Sequence, residues 1–304
     1  MLSVIIPAYN EAEMIAKTAA TITQILKEAK IPNELIFIDD GSSDQTWNKI
    51  EDASSQFNEV RGISFSRNFG KESAIVAGLC EAVGDCCVVI DCDLQHPPEI
   101  IPQMYRMWEQ GVQVVNGVKA SRGKEGVLHK VFAKLFYRIL SAAIKTDTQN
   151  ASDYKLLDRK VVEALLAMPE RNYFFRALSE WVGFETASIE YEVAERTEGE
   201  SKWSPWSLVR YAITNITSFS AIPLHIVTIL GFVVLAIAVV MGVVALVQYL
   251  CGIAVAGFTT VILLLLIIGS VIMISLGTIG YYISKIYEEV KARPKYLVAK
   301  RTER

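Results

Sequence analysis

Across residues 211–284 the chain carries no Asp, Glu, Lys or Arg. Helices of water-soluble domains seldom run that far without a charge, which argues against an ordinary soluble C-terminal half. The apolar runs at 226–250 and 259–283 are each long enough to cross a hydrocarbon core of roughly 30 Å at about 1.5 Å per residue. Two core helices of a soluble domain are the bland alternative. The stretch 251–258 between the runs is short and uncharged, so the two spans read as a hairpin. Lys285, Lys291, Arg293, Lys295, Lys300, Arg301 and Arg304 follow the second run and Arg210 precedes the first. Basic flanks stay on the cytoplasmic side, so both termini are expected there. The N-terminus lacks a basic region and a cleavage site, and residues 1–7 already read as a strand, so no signal peptide is expected.

Other absences narrow the field. Cysteine is scarce and odd in number, with no metal-ligand spacing among Cys80, Cys86, Cys87, Cys92 and Cys251. This excludes a disulfide framework and reads as reduced, buried thiols of a cytosolic domain. Neither Gly-x-Gly-x-x-Gly nor a P-loop occurs, so neither usual nucleotide fingerprint applies. No internal repeat or low-complexity linker is present. His96, His129 and His225 share no spacing and read as packing or interfacial residues, His96 lying near the acids described next only in sequence. The net charge of −3 is unremarkable, and no nucleic acid is expected as a partner.

What is present is an alternation of short apolar strands with helical patterns over the first 120 residues. Strands read at 2–6, 34–38, 61–65, 86–90 and 112–118, with helices at about 11–30, 44–57 and from Lys71 onward. This pattern predicts an α/β domain built on a mostly parallel sheet. Ligands of such sheets bind outside the carboxyl ends of the strands. Those ends carry Pro7-Ala8-Tyr9-Asn10-Glu11, Asp39-Asp40-Gly41-Ser42, Arg67-Asn68-Phe69-Gly70-Lys71 and Asp91-Cys92-Asp93. Turns and helix caps account for the glycines and serines, but not for acids and cations recurring at strand ends.

Asp91 and Asp93 carry the most chemistry. Residues i and i+2 of an extended segment point the same way, so both carboxylates can face one ligand while Cys92 faces the fold. Two close carboxylates repel unless a cation or donors sit between them. Hard divalent cations, Mg²⁺ or Mn²⁺, take oxygen ligands and share them with substrate phosphates, which points to a diphosphate-bearing substrate. Further along, Lys119, Arg122, Lys124, Lys130, Lys134 and Arg138 interleave with Leu128, Val131, Phe132, Leu135, Phe136, Ile139 and Leu140. At helical spacing this makes a basic amphipathic helix over about 124–146, suited to a membrane surface or to packing on the sheet. A second apolar helical stretch at 204–223 precedes the first span.

Taken in order, these motifs resemble glycosyltransferase family 2. The set includes Asp91-Cys92-Asp93-Leu94-Gln95-His96-Pro97-Pro98-Glu99 and continues with Arg196-Thr197-Glu198-Gly199-Glu200-Ser201-Lys202-Trp203. With the C-terminal hairpin, the likeness is to the polyprenyl-phosphate glycosyltransferases: nearest to bactoprenol glucosyltransferases, more distantly to dolichyl-phosphate mannose synthases. It covers nearly the whole chain. The resemblance implies a GT-A type catalytic domain over 1–203, a juxtamembrane helix at 204–223, two transmembrane helices within 224–285 and a basic cytoplasmic tail at 286–304. It implies an enzyme of the bacterial cytoplasmic membrane that moves a sugar, with inversion, from a nucleotide-sugar such as UDP-glucose to undecaprenyl phosphate.

By motif, Pro7, Tyr9, Glu11, Asp39, Asp40, Lys71 and Asp91 would hold the donor nucleotide. Asp91, Asp93 and Gln95 would bind Mg²⁺ or Mn²⁺ and the diphosphate, over which Arg196, Ser201 and Lys202 would close. Asp153, in Ser152-Asp153-Tyr154-Lys155, matches the acid near the reacting sugar, making Asp153, Asp93, Arg196 and Lys202 the catalytic set. Lys119, Arg122 and Lys130 would meet the acceptor phosphate. Family members often carry Arg where Lys119 stands, and Arg122 would then supply the bidentate geometry. Relatives imply a homo-oligomer, a tetramer. A mannosyl or modified-pentose transferase to the same lipid remains open, as does a non-catalytic nucleotide-sugar-binding scaffold. A processive polysaccharide synthase is disfavoured, since it would need more spans and a Gln-x-x-Arg-Trp motif that is lacking.

Overall fold

The computed structural model describes residues 1–119, 152–171, 173–192, 222–251 and 257–302. The expected amphipathic helix at 124–146, most of 204–223, and Arg122, His129, Lys130, Arg196, Ser201 and Lys202 lie outside the described residues. The chain divides into two compact units, Met1–Leu208 with Arg293–Arg304, and Val209–Ala292.

The first unit is built on an eight-stranded sheet. Its centre is parallel: β1 (Leu2–Ala8) lies between β2 (Asn33–Asp39) and β4 (Cys86–Val89), with β3 (Val60–Phe65) outside β2. The apolar runs seen in the sequence are buried on both faces; Val4, Ile5, Ile6, Leu35, Ile36, Phe37, Val88 and Val89 have no exposed surface. Helices α1 (Ala12–Glu28), α2 (Thr46–Gln56) and α3 (Lys71–Glu81) make the crossovers. In α1 the buried residues Ile15, Thr18, Ala19, Ile22 and Leu26 recur at three- and four-residue spacing, which turns one face to the sheet.

The sheet is mostly parallel, as the strand-helix alternation pointed to, and antiparallel pairings enter at its flanks. After α4 (Ile101–Glu109), β5 (Val114–Lys119) pairs parallel with β7 (Thr186–Tyr191). Between β5 and β4 lies β6 (Lys155–Asp158), antiparallel to both. This reversal matters for the site: Val89 pairs with Lys155, so the residues just before β6 arrive beside those just after β4. Two short helices, α5 (Arg159–Leu166) and α6 (Phe175–Trp181), follow β6. At the other edge β8 (Val298–Arg301) pairs antiparallel with β3. Residues anticipated only as a basic tail thus supply an edge strand.

The second unit holds α7 (Ile222–Leu250) and α8 (Phe258–Val290), which pack on each other. Both contain windows long and apolar enough to cross a membrane, Leu224–Gln248 and Ile267–Val290. Phe232, Met273 and Ile229 are among the large apolar side chains they expose. The last turns of α8 mix charged residues with Ile286 and Val290 and carry a Lys285–Glu288 pair at 3.4 Å.

Candidate functional site

Loops leaving the carboxyl ends of the parallel strands are stitched together by their own polar groups. Asn10 adopts a positive φ of 55°. Its N–H donates to Ser42 Oγ at 2.9 Å and its Oδ1 accepts the Ser43 N–H at 2.9 Å. The Glu11 N–H donates to Thr46 Oγ1 at 2.9 Å. Asp40 accepts the N–H groups of Phe69 at 2.7 Å and Gly70 at 2.9 Å, which fixes the chain entering α3. Burial raises the Asp40 carboxyl despite those two amides. Gly41 sits at φ 66°, where a Cβ would lie 2.3 Å from the Arg67 carbonyl carbon, so no other residue fits without a backbone shift.

These loops enclose an open cleft of about 310 Å³. Of the residues singled out in the sequence, Pro7, Tyr9, Glu11, Asp40, Lys71, Asp91 and Asp93 line it, beside Asn68 and Gly70. Asp39 does not. It is 2% exposed, and its carboxylate accepts the Ser42 N–H at 3.0 Å and the Ser64 hydroxyl at 2.6 Å. Strand β4 stops at Val89, so Asp91 and Asp93 lie beyond it, Asp93 in a turn, instead of on extended strand. Both still face the cleft. Gln95 is not among the lining residues; its main-chain N–H donates to Asp93 Oδ1 at 3.0 Å, so it orients the acid. Lys119 ends β5, exposed and in register with Tyr191, and does not line the cleft.

From Lys71 and Asp91 on the cleft wall an alternating row of charges runs to Asp153 and Arg176, which are not among the lining residues. Lys71 Nζ lies 2.5 Å from Asp91 Oδ1 and 3.0 Å from Asp153 Oδ2. Arg176 grips the same Asp153 in bidentate fashion, Nε to Oδ1 and Nη2 to Oδ2, both at 2.7 Å. Burial alone would lift Asp153, but Lys71 and Arg176 overcome it and hold the carboxyl far below the usual range. Asp91 is likewise held low by Lys71 and by a hydrogen bond from His96, against its burial. The Lys71 ammonium, which burial would lower, is driven well above its ordinary value by Asp91 and Asp153. Beside them Glu72 accepts the Phe175 N–H at 2.9 Å. Burial and then the Asp153 charge push Glu72 up to about 7.

Arg176 and Glu72 belong to no motif. The available signal was a cation embedded in the apolar segment Tyr173-Phe174-Phe175, where a charge needs a partner. His96 was placed near the acids by sequence alone, and the structure corrects this. Its Nε2 stands 3.6 Å from Asp91 Oδ2, its Nδ1 meets the Tyr191 hydroxyl, and its ring lies 5.2 Å from that of Tyr154. Among the cysteines, Cys86, Cys87 and Cys92 are buried, but Cys80 and Cys251 are exposed, contrary to a uniformly buried set.

Among the described residues no group of three His, Cys, Asp or Glu side chains is poised around a metal position. Asp91 and Asp93 nevertheless offer hard oxygen donors on the cleft wall. That donor set fits a divalent cation taking its remaining ligands from a diphosphate and water.

The family model for Glycosyl transferase family 2 matches residues 3–166. A prophage bactoprenol glucosyl transferase homolog of Escherichia coli (strain K12) is 37% identical over 299 residues, covering 98% of this chain and 98% of that protein. The SfII prophage-derived bactoprenol glucosyl transferase of Shigella flexneri is 38% identical over 302 residues, covering 98% and 97%. Among solved structures, glucosyl-3-phosphoglycerate synthase from Mycobacterium tuberculosis, in complex with Mn²⁺, UDP-glucose and phosphoglyceric acid, matches with a TM-score of 0.48. It is 21% identical and covers 71% of this chain and 77% of that one.

Proposed function

The chain belongs to glycosyl transferase family 2, and with that as premise we propose that it transfers glucose from UDP-glucose to undecaprenyl phosphate, with inversion, at the cytoplasmic face of a membrane. The observation that carries this reading is the strand-end cleft with Asp93 on its wall and the Asp91–Lys71–Asp153–Arg176 row running from it. The names of relatives aligned over nearly the whole chain support glucose and a bactoprenol carrier. The two long apolar helices support a lipid-borne acceptor.

A nucleoside diphosphate leaving from the sugar gains negative charge as the anomeric C–O bond breaks. Fixed positive charge where that negative charge develops is the largest aid a protein can give. Lys71 provides it at the cleft wall, held protonated by its two acids. Asp91 and Asp93 would hold Mg²⁺ or Mn²⁺, which when bound supplies Lewis-acid neutralisation of the diphosphate. Arg196, Ser201 and Lys202 would add donors over the phosphates, and Lys119, Arg122 and Lys130 would draw in the anionic acceptor headgroup.

The acceptor oxygen belongs to a phosphate that is already ionised near neutral pH, so it attacks the anomeric carbon without losing a proton first. This agrees with the state of Asp153, whose two oxygens receive three charged hydrogen bonds and whose carboxyl has little affinity for a proton. Asp153 acts as the anchor that sets Lys71 and Arg176 beside the sugar.

The test is to incubate the purified chain with undecaprenyl phosphate and Mg²⁺ or Mn²⁺, offering UDP-glucose, UDP-galactose, UDP-GlcNAc and GDP-mannose separately. The expected result is a lipid product one hexose heavier with UDP-glucose alone, absent in Asp93→Asn. Product with another donor instead would replace the sugar, and no product with any donor would sink the reading.

A further inference from the structure

We propose that the segment 295–302, which follows the second long helix in the chain, is a positioning strap for the donor end of the cleft. Strand β8 closes the sheet edge against β3, with Ile63 opposite Arg301 and Phe65 opposite Val298. The Thr302 N–H donates to the Gly62 carbonyl at 3.0 Å, and Arg301 Nη1 binds Glu81 at 2.8 Å. Those contacts anchor one end of the strap to the sheet, away from the cleft.

The other end touches both loops that deliver the cations. The Ser66 N–H donates to the Leu297 carbonyl at 3.0 Å, and the Tyr296 ring stacks on Phe65 at 5.0 Å with 17° between planes. Phe65 meets Phe69 edge-on at 5.8 Å, and Phe69 and Gly70 are the residues whose N–H groups Asp40 holds. Lys71 follows directly. On the second loop, Lys295 Nζ lies 4.5 Å from the centre of the Tyr173 ring, three residues before Arg176. One short segment therefore buttresses the chain on the Lys71 side and on the Arg176 side of Asp153. Tyr296 and Lys295 are not among the residues lining the cleft; they are positioning residues. Tyr296 is the stronger, because a stacked aromatic pair fixes geometry better than a cation over a ring.

The strap's role in donor binding rests on the cleft being the nucleotide-sugar site, so the test has one readout that does not need turnover. In the full-length protein in detergent, amide exchange at Phe69 and Gly70 is compared for wild type, Tyr296→Ala and Tyr296→Phe. Tyr296→Ala is expected to speed exchange at those two amides by roughly three- to tenfold, as loss of one aromatic pair implies, with amides of β1 and β2 unchanged. Tyr296→Phe keeps the stack and should match wild type. Kinetics then give a matching split: the KM for the nucleotide-sugar rises in Tyr296→Ala while that for the lipid phosphate stays. Unchanged exchange at Phe69 and Gly70, or an equal rise across the whole sheet, would overturn the strap. Failure of wild type to turn over any donor would count against the proposed function alone, since the exchange comparison still decides the strap.

Discussion

Two charged clusters lie around α6 and the start of β6, and their surroundings give them opposite roles. The sealed one joins Lys155, 0% exposed, to Glu180 at 3.1 Å and to the Ser179 hydroxyl at 2.5 Å, with the Asn116 amide on the same Glu180 oxygen at 3.0 Å. The open one, Asp91–Lys71–Asp153–Arg176, leaves the Lys71 side chain 40% and the Arg176 side chain 33% exposed. In the sealed cluster burial pulls the Lys155 ammonium down and Glu180 opposes it, so each charge is tolerated only through its partner. The open cluster can exchange partners with an incoming anion. Support runs in one order: Lys155 and Glu180 pin β6 to α6, Asp153 lies two residues before β6 and Arg176 on α6, and the sealed pair thereby sets the geometry the open one uses.

Breaking the sealed pair on one side gives the largest expected effect. Lys155→Met leaves the Glu180 carboxylate buried without its cation and should cost about 3–5 kcal/mol of stability. Adding Glu180→Gln should restore much of it, because removing both charges of a buried pair is often close to neutral. Thermal unfolding of the single and double variants checks this; equal losses in both would mean the pair is not what holds β6 to α6. Next comes the open side. Asp93→Asn should lower kcat by roughly 10²–10³ at saturating metal, the scale of losing one group that stabilises a leaving charge. Asp153→Asn should lower it only roughly tenfold, the value of a charge-assisted contact to Arg176. Kinetics on the two variants ranks them, and an equal or greater loss at Asp153 would make it a true proton acceptor.

The contrast also explains what the sequence could tell. The cleft wall from Pro7, Glu11, Asp40, Lys71, Asp91 and Asp93 was legible because each lies near the carboxyl end of a buried apolar strand, so local pattern carries the position. Central strands β1 to β4 were legible for the same reason. Strands β6, β7 and β8 were not: they fall outside the strand-helix alternation of the first 120 residues, and β8 follows basic residues that read as a solvated tail. Their place is set by partners far along the chain, as Thr302 on Gly62 illustrates. Arg176, Glu180 and Lys155 stayed hidden because an isolated charge in an apolar segment announces a partner without naming it. His96 failed differently. Its neighbour Tyr154 directly precedes β6 and Tyr191 ends β7, and the reversed β6 brings Tyr154 beside the residues that follow β4.

Glu72 tests the comparison at its margin, with the smallest expected effect. It belongs to the open cluster by position, beside Lys71, Arg176 and Asp153, yet it behaves like a sealed group, with burial pushing it up to about 7 from an ordinary 4.5. Between those values the folded chain keeps a proton that the unfolded chain has lost. Stability therefore falls as pH rises through that window, by up to one proton's slope, and the penalty is complete above about 7. Asp91 and Asp153 act elsewhere: held below their ordinary 3.8, they stabilise the fold above that value and lose the effect only as pH drops under it. Glu72→Gln keeps an oxygen for the Phe175 N–H but cannot ionise, so its thermal-unfolding curve should be flatter than wild type from pH 4.5 to 7. Parallel curves would return Glu72 to the solvated side of the cleft.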